Sequence, residues 1–235
     1  NILIGDHGYV DFVSLDGDLS DIDSIGSLAE ALGNNDTIIS GAGADVIIGG
    51  VGSDTVDAGD GDNVVIGDNG VITGKDTGQA AGVALAIDQI LSTSQAYGAG
   101  DIIETGSDDD IIIGGVGSDD IDSTGGRDIV MGDGGLIQFR TPEADGTQVA
   151  DLVRSYQSSV GDGDFITLGD GGSIVVGGAG QDDIDVGAGN HIVFGDNGRI
   201  TAASANIVNF GTQPITLGLV ETIESLIGGS DTITT

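Results

Sequence analysis

The 235-residue sequence contains no cysteine and no tryptophan, only two prolines, and only five lysine and arginine residues. The absence of cysteine excludes a disulfide scaffold. The scarcity of basic residues argues against nucleic acid, because binding to it depends on Lys and Arg at the phosphates. No stretch is apolar for long enough to predict a bilayer-spanning segment. The fold must therefore be stabilised by something other than disulfides.

Acidic residues and glycine dominate what is present. Asp and Glu number 39, the formal net charge is −34 at pH 7, and 45 residues are glycine. Glycine does not recur at every third position, which excludes collagen, and an apolar fraction of 38% excludes a disordered acidic tail. Short β-branched strands between glycine turns fit this composition. Because so much negative charge opposes a compact state, we expect a cation in the fold, and Asp-rich turns point to Ca²⁺.

A nine-residue repeat organises the chain. We call the residue at this recurring position, which is acidic or an amide at most steps, the anchor, and the residue two places after an anchor is apolar, as at Ile38 and Ile47. This spacing predicts a short strand whose middle residue faces inward. The anchors form three blocks of four and the start of another: Asp36, Asp45, Asp54, Asn63; Asp101, Asp110, Asp119, Asp128; Asp164, Ser173, Asp182, His191; and Asp231.

A longer repeat is marked by the motif at 1–8, which returns at 63–70, 128–135 and 191–198. Each long repeat holds four nonapeptides followed by an insert. The predicted units are 1–32 (the end of one long repeat plus its insert), 33–97 (nonapeptides 33–70, insert 71–97), 98–160 (98–135, 136–160), 161–227 (161–198, 199–227) and 228–235, the start of the next repeat. Because both ends cut through a repeat, we expect a piece of a longer array.

The inserts are themselves a repeated element, because Ile25, Ile90, Val153 and Val220 stand at the same distance before the next anchor. Each insert is predicted to begin with a continuation strand, at 71–73, 136–138 or 199–201. Further along, spacing leaves the choice open. Residues 79–91 and 148–158 fit either a short helix or a strand, whereas 215–227 reads as extended.

Three turns carry the full pattern G-G-x-G-x-D, at Gly49 to Asp54, Gly114 to Asp119 and Gly177 to Asp182. Here the sequence resembles the RTX (hemolysin-type) calcium-binding nonapeptide repeat. The resemblance implies that six turn residues and three strand residues form half a coil, with Ca²⁺ between turns of successive coils. The predicted fold is therefore all-β, a parallel β-roll or β-solenoid of nonapeptide repeats. Inserts of ~30 residues interrupt it and pack on one outer sheet face.

If each coil holds two nonapeptides, the first and third turns of a block share one edge of the roll, which we call edge one. The second and fourth turns share edge two. On edge one the predicted calcium pairs are Asp36 with Asp54, Asp101 with Asp119, and Asp164 with Asp182, and Asp231 begins another. On edge two they are Asp45 with Asn63 and Asp110 with Asp128.

Other polar residues in the repeats are given lesser roles. At Ser173 and His191 we expect a weak or missing calcium site, and we interpret His191 as a lost anchor rather than a zinc ligand. Asp57, Asp122 and Asp185 are predicted to be solvated charges, and Asp68, Asp133 and Asp196 to be turn formers.

The outward residues of the second and fourth strands of each block are apolar, including Val46, Ile48, Ile111 and Ile113. An apolar face of that size is unusual on a soluble monomer. Our hypothesis is that the inserts cover this face, and the rival is a neighbouring chain in a lateral bundle. Burial of Ile48 and Ile113 within a single chain would exclude the bundle.

These features favour a calcium-stabilised structural segment of a large secreted or cell-surface bacterial protein. An adhesin stalk or matrix fibre is the expected context, with calcium and neighbouring repeats or other copies as partners. The alternative is an accessory or secretion module of a secreted lipase, protease or polysaccharide epimerase. We predict no catalysis within these residues, because HExxH, GxSxG and phosphate-loop motifs are absent from the sequence.

Overall fold

The computed structural model describes residues 1–13, 15, 21–75, 85–140, 149–203 and 213–235. Within these ranges the regular secondary structure consists of β-strands. No helix in the described residues is long and apolar enough to cross a membrane. The strands in chain order are β1 Ile2–Ile4, β2 Gly8–Asp11, β3 Ser24–Ser27, β4 Thr37–Ile39, β5 Val46–Ile48, β6 Thr55–Asp57, β7 Val64–Ile66, β8 Gly70–Gly74, β9 Ile87–Ser92, β10 Ile102–Thr105, β11 Ile111–Gly115, β12 Asp120–Gly126, β13 Ile129–Asp133, β14 Gly135–Phe139, β15 Ala150–Ser155, β16 Phe165–Gly171, β17 Ile174–Val176, β18 Asp183–Val186, β19 Ile192–Phe194, β20 Gly198–Ala202, β21 Leu217–Thr222 and β22 Thr232–Thr234.

Two parallel sheets of seven strands form the repeat body. The first sheet has the order β1-β5-β7-β11-β13-β17-β19, and the second has the order β22-β18-β16-β12-β10-β6-β4. Within a block, each strand pairs in register with the strand two nonapeptides later, as Ile47 with Val65 and Ile38 with Val56. Successive nonapeptides therefore alternate between the two sheets, which is consistent with a β-roll.

The residues two places after the anchors form the core of the repeat body. They come from both parallel sheets, and those in the buried cluster are 0–7% exposed. Leu3 and Val193 are partly buried and pack against this cluster. Because side chains alternate along a strand, the anchor-plus-one and anchor-plus-three residues point away from this core. On the second sheet that outer face is exposed at Asp57, Asp122 and Asp185, as expected for solvated charges.

A third sheet of eight antiparallel strands, β2-β3-β8-β9-β14-β15-β20-β21, is built from the inserts. Each insert leaves on one strand and returns on the next, as in the pair β8 and β9. The helix alternative is wrong for the described parts of 79–91 and 148–158, which contain β9 and β15; residues 79–84 and 148 lie outside the described residues. The segment that contains Ile90 forms a strand because antiparallel pairing places Ile90 opposite Ile72, where both side chains are 0% exposed.

The apolar outer face of the first sheet is buried within the chain. Ile48 and Ile113 are each 0% exposed. They belong to one hydrophobic cluster with Ile25, Ile90 and Ile137 of the third sheet. The two layers share this second core, so that the face is not open to a neighbouring chain.

Candidate metal centre

On edge one, the anchors form a continuous ladder across the coils. The backbone N–H of each anchor donates to Oδ1 of the anchor in the next coil. The donor–acceptor distances are 2.7 Å from Asp36 to Asp54, 2.7 Å from Asp54 to Asp101, 2.7 Å from Asp101 to Asp119, 2.9 Å from Asp119 to Asp164, 3.0 Å from Asp164 to Asp182 and 3.2 Å from Asp182 to Asp231. The ladder spans the predicted calcium pairs and also joins each pair to the next.

The second carboxylate oxygen of these anchors has no such partner. Oδ2 is buried and accepts no hydrogen bond from the described protein atoms in Asp36, Asp54, Asp101, Asp119, Asp164 and Asp182. A buried carboxylate oxygen without a donor is costly unless a cation or another donor compensates it. Among the described ion pairs, no Lys or Arg side chain reaches an edge-one anchor.

Burial favours the protonated form of these carboxyl groups when no metal is bound. Loss of solvation raises the pKa of Asp119 to about 10, and the nearby carboxylates of Asp164, Asp101 and Asp68 raise it further. Burial likewise raises the pKa of Asp101 to about 8 and that of Asp164 to about 8. Along edge one, negative charges thus lie close together, and their mutual repulsion must be offset for all of them to ionise.

A column of glycines lets a carbonyl oxygen come close to each free Oδ2. A methyl group on Gly5 would lie 2.5 Å from the carbonyl oxygen of Gly49 and 2.6 Å from Oδ2 of Asp36. The same approach of a carboxylate oxygen and a carbonyl oxygen recurs at Gly49, Gly67, Gly114, Gly132 and Gly177. We call this glycine position one of the turn.

This donor set fits Ca²⁺. Calcium takes six to eight oxygen ligands from carboxylates and backbone carbonyls, and edge one brings such oxygens together with no side chain between them. In the described residues no three His, Cys, Asp or Glu side chains form a metal-holding group by themselves. The anchor Oδ2 atoms and the turn carbonyls would therefore have to hold the ion jointly.

Edge two has the same ladder of hydrogen bonds, but its acceptors are Asn, Asp, Ser and His side chains. Its N–H donors reach Oδ1 of Asn63 from Asp45 at 3.1 Å, Oδ1 of Asp110 from Asn63 at 2.8 Å, Oδ1 of Asp128 from Asp110 at 3.0 Å, Oγ of Ser173 from Asp128 at 3.0 Å and Nδ1 of His191 from Ser173 at 3.3 Å. Each anchor type thus supplies a hydrogen-bond acceptor. His191 serves here as an acceptor in the ladder.

Position one of the edge-two turns carries a side chain instead of glycine, namely Ser40, Ala58, Thr105, Ser123, Leu168 and Val186. At Asp128 this side chain takes the place beside the carboxylate, because the Ser123 hydroxyl donates to Oδ2 at 3.1 Å and the Ser173 hydroxyl at 3.3 Å. Asp45 and Asp110 keep a free Oδ2, but it adjoins a turn that begins with Ser or Thr. The donor set therefore fits calcium less well on edge two.

The sequence analysis did not predict that Asp68 and Asp133 are buried beside the edge-one anchors. They were predicted to be turn formers, yet they are only 2% and 4% exposed and lie beside edge-one anchors. The signal that could have found them is their recurrence. A Gly-Asp pair precedes every insert, at Asp6, Asp68, Asp133 and Asp196.

Short parallel strands stacked in coils, with glycine-rich acidic turns along an edge, define a repeat protein of the β-roll type. Residues 30–70 and 96–135 match the family model of the RTX calcium-binding nonapeptide repeat. These two blocks are RTX calcium-binding nonapeptide repeats, which confirms the resemblance seen in the sequence. No curated protein and no solved structure matches the chain. The repeats identify a calcium-binding module of bacterial secreted proteins, whose family role is structural rather than catalytic.

Proposed function

We propose that this chain is a calcium-stabilised structural segment of a large bacterial protein at the cell surface or in the extracellular matrix, such as an adhesin stalk or fibre. The row of buried Oδ2 atoms on edge one carries this proposal. A ladder of carboxylates without basic partners costs stability unless a cation binds. Extracellular calcium, at about millimolar concentration, is high enough to occupy sites with dissociation constants of ~10⁻⁴–10⁻³ M.

We assign the metal sites chiefly to edge one. The pairs Asp36 with Asp54, Asp101 with Asp119 and Asp164 with Asp182 combine a free Oδ2 with a glycine at position one. Oδ2 of Asp231 lies beside Gly195, and we include Asp231 in the proposal for that reason. The edge-two pairs Asp45 with Asn63 and Asp110 with Asp128 are proposed as weaker sites, because their turns begin with a side chain.

Each long repeat (33–97, 98–160 and 161–227) acts as one structural unit in this proposal. The nonapeptides supply the metal-binding coils. The insert supplies a cover for the apolar face of the first sheet, which is why each unit carries one. Support comes from the shared hydrophobic cluster of the first and third sheets.

Assembly end to end, by stacking of coils in the same chain or between copies, is part of this proposal. Ile233 in the terminal strand β22 is 46% exposed, whereas Ile184, its partner in the adjacent strand, is 0% exposed. Val220 in β21 is 43% exposed, whereas its partner Ile200 is 0% exposed. In each of these two sheets the last strand thus exposes a position that the strand beside it buries.

Circular dichroism of the chain during calcium titration after EDTA treatment tests the proposed function. We expect a cooperative gain of β signal at sub-millimolar to millimolar Ca²⁺, because metal binding and folding are coupled. Mg²⁺ is the control, and it should not substitute because it demands a tighter octahedral site and dehydrates reluctantly. A chain that is already fully folded in EDTA at neutral pH would contradict the proposal.

A further inference from the structure

Each insert leaves the roll in the middle of an edge-one turn. The chain departs after a Gly-Asp pair and returns with the last four residues of the turn, as in Gly67 and Asp68 followed by 98–101. We call these interrupted turns split turns. Their position-two residues, the split-turn aspartates, are Asp6, Asp68, Asp133 and Asp196. In the three G-G-x-G-x-D turns, position two is glycine.

The split-turn aspartates bridge the break. Oδ1 accepts a hydrogen bond from the returning chain, at 3.3 Å from Asn34 N to Asp6, 3.3 Å from Ala99 N to Asp68 and 2.9 Å from Gly229 N to Asp196. Oδ2 accepts one from the neighbouring G-G-x-G-x-D turn, from Val51 N to Asp6 (2.6 Å), from Val116 N to Asp68 and from Ala179 N to Asp133. The carboxylate therefore occupies the gap that the departing backbone leaves.

At Asp133 one of these hydrogen bonds is missing. Asp133 is 4% exposed, its Oδ2 is bonded to Ala179, and its Oδ1 is buried without a donor among the described atoms. The free Oδ2 of Asp164 lies in the same split turn and that of Asp182 in the neighbouring G-G-x-G-x-D turn, and both carboxylates act on Asp133 electrostatically. The described ion pairs bring no basic side chain to this group.

The split-turn carboxylate and an anchor carboxylate approach the two consecutive glycines of each G-G-x-G-x-D turn. Oδ2 of Asp54 would lie 2.5 Å from a methyl group on Gly49, and Oδ2 of Asp6 would lie 2.6 Å from one on Gly50. The same arrangement recurs at Gly114 and Gly115 with Asp119 and Asp68. The extra carboxylate thus adjoins the space that the anchors share with the turn carbonyls.

We propose that the split-turn aspartates are calcium ligands, so that each split turn adds a carboxylate to an edge-one site and the ion joins the departing and returning ends of the insert. This inference rests on the proposed calcium function and deepens it. A third buried carboxylate beside two anchors stays ionised only with a cation beside it, and higher ligand charge strengthens calcium binding. The inserts would then be fastened to the roll by metal as well as by their apolar core.

The test compares the whole chain with variants Asp133→Asn and Asp68→Asn by equilibrium dialysis against Ca²⁺, with the β signal followed in parallel. At Asp133 asparagine keeps an acceptor oxygen for the one hydrogen bond, from Ala179, and removes the charge. At Asp68 it keeps one of the two acceptor oxygens, so that one bridging hydrogen bond is lost together with the charge. Asp122→Asn is the matched control, because Asp122 is exposed on the second sheet and the charge change is the same. We expect each split-turn variant to lose about ten- to a hundredfold in affinity at one site, with its β signal restored at higher Ca²⁺, and the control to bind like the wild type.

Two results would overturn this inference. The variants could bind as many ions as tightly as the wild type, or their β signal could fail to recover at any Ca²⁺ concentration, which would make the aspartates metal-independent links. If the wild type itself binds no calcium, the proposed function fails first. Normal binding by the wild type with unchanged variants removes only the role of the split-turn aspartates.

Discussion

At the scale of single residues, position one of the turn separates the two edges. On edge one it is glycine, and Oδ2 of the anchor and a carbonyl of the next coil approach the place where a side chain would be. On edge two it carries a side chain, and at Ser123 that side chain hydrogen-bonds the anchor. The same nonapeptide thus gives either a turn in which unpartnered oxygens lie close together or a turn closed by a side-chain hydrogen bond.

We predict that Gly114→Ala weakens calcium binding. The added methyl group would meet Oδ2 of Asp119 and the carbonyl oxygen of Gly132, so that both oxygens must move away from the position they share. The expected effect is a loss of about tenfold or more in affinity at one site, measured by equilibrium dialysis of the variant at Ca²⁺ concentrations that keep it folded.

Ser123→Ala is the control for this change, because it places the same side chain at position one on edge two. It removes the hydrogen bond to Asp128 and should cost about 0.5–1.5 kcal/mol of stability, with edge-one calcium affinity unchanged. Equal calcium affinity in Gly114→Ala and the wild type would show that the glycine column does not form the site.

At the scale of elements, the strands are too short to be stable alone. A three-residue strand such as β5 is held by two parallel neighbours and by cores on both of its faces, since Ile47 packs in the repeat body and Ile48 packs against the third sheet. One coil cannot bury its own faces, and stacking supplies the missing contacts. The inserts are therefore part of the core.

We predict that Ile90→Ala destabilises the protein by about 2–5 kcal/mol, the usual cost of removing a large buried side chain. Ile90 is 0% exposed and lies between the first and third sheets. Chemical denaturation in saturating calcium would measure the loss. Leu91→Ala is the matched control, because Leu91 is the next residue on β9, is partly exposed and points away from this core. Equal losses in the two variants would contradict the role of the third sheet as a cover.

At the scale of the whole molecule, the net charge of −34 opposes compaction. The described ion pairs are few, and those of Lys75, Arg140 and Arg199 lie in the inserts, away from the carboxylate row of edge one. The stability of the folded state therefore depends on what neutralises the carboxylates of edge one. Calcium and protons are the two candidates, and they compete for the same oxygens.

This competition predicts an unusual pH dependence in EDTA. Burial raises the pKa of Asp54 to about 6, of Asp101 to about 8 and of Asp119 to about 10 in the folded chain. Between about pH 4, where an unfolded Asp titrates, and these values the folded state holds more protons than the unfolded state. Each such proton adds about 1.4 kcal/mol of stability per unit fall in pH. Stability is thus fully present below about pH 4 and is lost as the pH rises through the folded pKa values.

We therefore expect the metal-free chain to show more β structure at pH 5 than at pH 8, and calcium affinity to fall as the pH is lowered. Circular dichroism in EDTA across this range measures the first, and calcium titration at each pH measures the second. Calcium-saturated protein at pH 8 serves as the folded reference. Metal-free protein that is more stable at pH 8 than at pH 5 would show that the edge-one carboxylates are not buried as described.

Local information in the sequence determined the repeat body. The nine-residue step fixes which side chain faces inward, so that Ile38 and Val56 were identifiable as core residues, and the step of two nonapeptides fixes which anchors are neighbours, as with Asp36 and Asp54. These relations follow from strand alternation and from turn chemistry, which act over a few residues. The RTX resemblance came from the same local pattern.

Only the tertiary structure decided what lies between distant segments. Ile90 fits a helix or a strand by spacing, and becomes a strand because Ile72 and Ile137 pair with it from outside its own segment. Asp68 looks like an ordinary turn residue until the insert closes and brings Ala99 to it from 31 positions away. Register within a repeat is a local property, whereas pairing between inserts and burial of a charge depend on the assembled coils.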